Sequence, residues 1–122
     1  MSSIPPPVQP HSVRLLKNPY IAPLGIFLGT LLLYLTTLTR THTFDALSYV
    51  TSVELKPWRE LFHPHHLAYG PLGMVALAAG KALGYGGGAA LPMQIVNATA
   101  GALGVALFFA IVRRVTRQTV LA

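Results

Sequence analysis

The stretch ELFHPHHLAYGPLG, residues 60–73, sets His63, His65 and His66 at the mouth of an apolar run, with Arg59 directly before it. Imidazole can ligate a divalent metal, hydrogen-bond a phosphate or meet lipid headgroups. A helical zinc site needs its ligands on one face, as in His-x-x-x-His. On a helix the adjacent His65 and His66 point about 100° apart. His63 and His66 could converge, with Asp45 or Glu60 as a third ligand of a divalent cation. Pro64 rules out a regular helix running through from His63. A phosphorylated substrate or a headgroup therefore suits these histidines better than a metal.

Asp45 is the strongest candidate for chemistry. A carboxylate at a membrane surface can act as a general base or orient a metal. In the first turn of a helix it also meets the positive end of the helix dipole, which is a purely structural use. Glu54 and Glu60 read as solvated loop acids, and Glu60 stands one helical turn from His63.

Composition says where these groups must sit. The 122 residues are 52% hydrophobic and only 10% charged, with a mean hydropathy of +0.54. A soluble domain carries about 25% charged residues. A chain this poor in charge points to a membrane protein. Its net charge is +6 and its pI about 10.2. No basic stripe alternates with aromatics, so nucleic acid is not the expected partner. The nine Lys and Arg residues flank apolar segments, where anionic headgroups attract them. The absence of cysteine removes disulfides and thiol chemistry.

Residues 1–19 form a proline-rich tail without apolar periodicity, read as disordered. Residues 20–38 carry no charge and match a bilayer core in length. This run is longer than a signal h-region and reads as a retained anchor. In the loop 39–65, Phe44, Leu47, Val50 and Val53 recur every three residues. They predict an amphipathic helix over 43–54, capped by Thr43 and lying on the membrane surface, with Asp45, Tyr49 and Ser52 on its other face. Residues 66–84 predict a second span, opened by Pro64 and kinked at Pro71. GYGGG (84–88) reads as a flexible turn.

Residues 89–112 predict a third span, closed by Arg113, Arg114 and Arg117. Ala76, Gly80 and Gly84 form one stripe of small residues. Ala98, Ala102, Ala106 and Ala110 form another, so the second and third spans are expected to pack on each other. The Asn97-Ala98-Thr99 sequon lies in an apolar segment, out of reach of glycosylation. Asn97 and Gln94 are instead expected to bond between helices. The closing TVLA turns apolar again, like the start of a further span, and no internal repeat is evident. The fold class is thus an all-α membrane protein with three transmembrane helices and an interfacial helix in the first loop.

An anchor helix, then TFDALSYVTSVE, then HPHHLAYGPLG, then a glycine turn and NATAGALGVALFFAIVRRVTRQTVLA form a recognisable order. Over residues 20–122 it resembles the N-terminal end of the GT-C glycosyltransferases, multi-spanning membrane enzymes of the dolichyl-phosphate-mannose and aminoarabinose transferase type. The resemblance implies a polyprenyl-phosphate-linked sugar donor. It implies a catalytic aspartate in the first extracytoplasmic loop, matched by Asp45 with Tyr49 near the substrate. It implies a His-Pro pair opening the second helix, matched by His63-Pro64. Arg59, His63, His65 and His66 would then steady the donor phosphate, and RR-x-x-R would precede a fourth helix.

Family members are several times longer, so the chain reads as an N-terminal fragment or a reduced relative, inactive alone. The family topology places the N-terminus inside a plasma (inner) membrane, although with three spans the positive-inside rule favours the reverse. The alternative is a small non-catalytic subunit that packs its small-residue stripes against other membrane helices in a larger complex, such as a respiratory or photosynthetic one.

Overall fold

A computed structural model of the chain describes residues 18–116, His63 and His65 excepted. Residues 1–17 of the proline-rich tail expected over 1–19, Arg117 and the TVLA end lie outside the described residues. The regular elements among those described are all helices, with no strand. In order they form α1 (Ile21–Thr36), α2 (Phe44–Leu55), a 3-10 turn (Trp58–Glu60), α3 (Tyr69–Ala82) and α4 (Ala90–Thr116).

The three apolar helices begin alike. Pro23, Pro71 and Pro92 each stand third in their helix. The first four N–H groups of a helix have no intrahelical partner, so a proline there removes no bond. This moves the start of α3 from the expected residue 66 to Tyr69. Pro71 therefore belongs to its first turn and kinks nothing, and Pro64 lies before the helix. α1 stops at Thr36 as the threonines turn inward: Thr36 Oγ1 donates to the Leu33 carbonyl (2.9 Å) and Thr37 Oγ1 to the same carbonyl (2.8 Å).

α3 ends in a Schellman motif. Gly84 takes φ +88°, Gly84 N–H donates to the Lys81 carbonyl and Tyr85 N–H to the Gly80 carbonyl, both at 3.0 Å. The Tyr85 ring then folds back over Gly80. The first two residues of GYGGG are thus a built helix stop, not the flexible turn expected.

α1 and α4 make the most extensive helix contact, and they run antiparallel. At one end Arg113 Nη1 donates to the Pro19 carbonyl (3.3 Å), and at the other Gln94 Nε2 donates to the Thr39 carbonyl (2.9 Å). The alanine stripe of α4 is the seat. Ala98 faces Tyr34 and Leu38, Ala106 faces Leu24 and Phe27, and Ala102 between them is 0% exposed. The stripe was expected to receive the helix of residues 66–84; its partner is α1 instead.

α3 crosses the first turns of α4. There a small core gathers Val53, Leu77, Ala89 and Met93, flanked by Tyr49, Val50, Tyr69 and Met74. Gly73 permits this approach, because a Cβ on it would stand 3.0 Å from Val53 Cγ2 and 3.1 Å from Met93 Cγ.

This arrangement corrects the expectation of three spans. Among the described residues only α4, with 27 residues, is long and apolar enough to cross a membrane. α1 has 16 residues and α3 has 14, so α3 reaches only about 21 Å. Three spans in series would also set the first and third parallel, whereas α1 and α4 are antiparallel.

The loop helix needs a second correction. α2 forms as expected, with Thr43 Oγ1 accepting from Ala46 N–H at 3.4 Å. Yet a step of three residues falls about 60° short of a full turn. The series Phe44, Leu47, Val50, Val53 therefore winds about halfway round the helix. Val53 is 3% exposed in the core, and Phe44 is 85% exposed on the far side.

Ala102→Leu should force α1 from its seat by overfilling a closed contact. Unfolding in detergent is expected to show a loss of about 1–3 kcal/mol, the range for overpacked sites. The same change at the exposed Ala100 should leave stability within about 0.5 kcal/mol.

Candidate functional site

The chain's polar chemistry gathers where α2, the 3-10 turn and the entry to α3 meet. Asp45, Ser48, Tyr49, Ser52 and Lys56 come from one face of α2 and its end. Glu60, Leu61, His66 and Gly70 close the opposite wall of a pocket of about 470 Å³. Ser48 and Tyr49 follow Asp45 by three and four residues, Ser52 follows them by four and three, and the eleven steps from Asp45 to Lys56 make about three full turns, so they line up. Asp45, Tyr49 and Ser52 thus share a face, as their spacing predicts.

The wall bearing His66 is fixed by a relay of contacts from three helices. The Tyr49 ring meets His66 edge-on at 5.5 Å and Tyr69 edge-on at 5.0 Å. Such T-shaped contacts suit the quadrupole of an aromatic face. Tyr69 Oη in turn accepts a bond of 2.9 Å from Asn97 Nδ2 on α4. Asn97 therefore does bond between helices. Leu61 is buried below the pocket, and its carbonyl lies where a Cβ on Gly70 would fall, 2.6 Å away. α3 can approach the 3-10 turn so closely because position 70 is glycine.

Of the residues singled out by sequence, the structure brings Asp45, Tyr49 and His66 into one pocket. Arg59 stays on the 3-10 turn and does not line it. Lys56 is the cation that does, facing the same space as Asp45 and Glu60. His63 and His65 lie outside the described residues. Among those described, no three His, Asp or Glu side chains come close enough together to hold a metal ion. Ser48 and Lys56 were legible in principle, since both continue the three- and four-residue spacing from Asp45 through Ser52.

Glu54 is not the solvated loop acid that it resembled. Its Oε1 accepts from the Ala89 backbone N–H at 2.7 Å, across 35 residues. Ala89 carries no side-chain acceptor, and its carbonyl receives the first helical bond of α4, from Met93 N–H at 3.0 Å. A distant carboxylate thus does the work of an N-cap and faces the positive end of a 27-residue helix. Gly88 leaves it room, since a Cβ there would collide with Glu54 Oε1.

Glu54→Ala should loosen the start of α4, costing about 1 kcal/mol, while Glu54→Gln keeps an acceptor and should cost less. Hydrogen exchange at the amides of Ala89 and its neighbours reads the effect directly. Unchanged exchange in Glu54→Ala would show that the carboxylate does not hold this end.

Comparison of the chain with protein-family models, with curated proteins and with solved structures finds no match. The functional reading therefore rests on the chemistry of this pocket and on the residues around it.

Proposed function

We propose that the chain is the catalytic-loop module of a membrane glycosyltransferase that uses a polyprenyl-phosphate-linked sugar donor. α4 crosses the membrane with α1 packed antiparallel along it, and α2, the 3-10 turn and α3 rest at the extracytoplasmic surface of a plasma (inner) membrane. Two observations support the membrane placement. Only 17% of the most apolar stretch of α4 is buried, unlike the core helix of a soluble domain. Leu28, Leu32, Phe108 and Ile111 are all exposed on the outside of the pair, a surface that would aggregate in water.

The observation that carries the chemistry is the shared pocket of Asp45, Tyr49, Lys56 and His66. In the proposed reaction the Asp45 carboxylate takes the proton of an acceptor hydroxyl. The acceptor oxygen bonds to the anomeric carbon as the bond from that carbon to the phosphate oxygen breaks. The electron pair leaves with the polyprenyl phosphate, whose charge Lys56 and a hydrogen bond from His66 stabilise. Tyr49 braces His66 and supplies an aromatic edge to the pocket. The module needs further helices to close round a sugar, because the pocket is open and its carboxylates are exposed.

With the chain reconstituted in vesicles with the remainder of its transferase, sugar transfer is expected to fall about a hundredfold or more in Asp45→Asn, within the usual range for a lost general base. His66→Ala should weaken donor use less. Membrane insertion should be unchanged in both. Full transfer by Asp45→Asn would overturn the catalytic role and leave Asp45 as a helix-start acid.

A second reading is favoured by the apolar cleft of about 600 Å³ between α3 and α4, walled by Ala76, Gly80, Leu91 and Ile95. Another protein's helix fits such a face of small residues. On that reading the chain is a non-catalytic membrane subunit, and it should co-purify in fixed ratio with a larger complex.

A further inference from the structure

The end of the α1–α4 pair opposite the polar pocket has its own chemistry. A cleft of about 700 Å³ runs between the start of α1 and the end of α4. Tyr20, Leu24, Phe27 and Leu107 wall it, and Arg113 and Arg114 stand at its mouth. Arg113 is held there by its bond to the Pro19 carbonyl. One guanidinium has five N–H donors, so this bond leaves most of them available. No Asp or Glu can neutralise either arginine, since the chain's three acids are Asp45, Glu54 and Glu60, all tied to the other end. Two arginines in the last turn also complement the helix dipole, but that role calls for no apolar cleft beside them.

We propose that this end binds an anionic glycerophospholipid, with its phosphate on Arg113 and Arg114 and one acyl chain in the cleft between α1 and α4. The charge at the mouth and the apolar walls match the two halves of such a lipid. The fork of a guanidinium suits phosphate oxygens in pairs. Tyr20, exposed at the same level, suits the headgroup boundary. The site rests on the membrane reading above, and not on sugar transfer.

The full chain is floated with phosphatidylcholine vesicles, with and without phosphatidylglycerol. Lipid retained by the detergent-extracted chain is then counted by native mass spectrometry. Phosphatidylglycerol should be retained over phosphatidylcholine by about tenfold or more, as two surface arginines warrant. The preference should vanish in Arg113→Gln with Arg114→Gln. It should persist in Arg40→Gln with Lys81→Gln, which removes the same charge elsewhere. Should the double arginine variant misfold by circular dichroism, Ala110→Trp fills the cleft while keeping both arginines, and it too should lose the lipid. Excess inorganic phosphate should leave the lipid in place. Equal retention of the two lipids, an unchanged preference in the arginine or Ala110 variants, or displacement by free phosphate overturns the site while the chain still floats. A chain that floats with neither vesicle overturns the membrane reading and the site with it.

Discussion

Close approach of two helices along the alanine stripe of α4 is the constraint on which the rest of the structure depends. Small side chains let backbones come near, and the closed seam at Ala102 leaves no room for a different partner. α1 occupies that seam in an antiparallel sense, and this one choice fixes two ends of opposite character. At one end the loop after α1 returns through α2 and α3 to the first turn of α4. At the other, Arg113 lies against Pro19. α3 is left outside the pair, crossing α4 near its start, and so the acids and His66 collect on a single side.

Only a modest core supports that side. Val53, Leu77, Ala89 and Met93 are its buried members, and none is a large aromatic. Polar contacts therefore matter more than usual. Glu54 on Ala89, Gln94 on Thr39 and Asn97 on Tyr69 each tie a loop or helix to the same two turns of α4. Their convergence explains how an exposed pocket can keep a defined wall: His66 leans on Tyr49, Tyr49 on Tyr69, and Tyr69 on Asn97.

Much of this was legible in the residues. Low charge placed the helices to within a few positions, Thr43 marked the start of α2, and Asp45, Tyr49 and Ser52 fell on one face as their spacing requires. Other features were hidden for identifiable reasons. A three-residue apolar step imitates a helix face yet drifts round it, which misassigned Phe44. Prolines in first turns look like kinks until the helix start is known. The partner of an alanine stripe cannot be read from the stripe, because small residues specify closeness and not identity. Glu54 is the clearest case: nothing local distinguishes it from a solvated acid, and its role arises only when α4 arrives 35 residues later.

The central claim of the proposal is that α4 crosses a membrane with α1 antiparallel beside it, the Asp45 pocket on one side and the arginine end on the other. The chain has no cysteine, so single cysteines report without background. Ser48→Cys and Thr116→Cys should each be labelled by a membrane-impermeant maleimide in sealed vesicles, from opposite sides of the bilayer. Labelling of both from the same side would contradict the antiparallel pair and restore three spans in series.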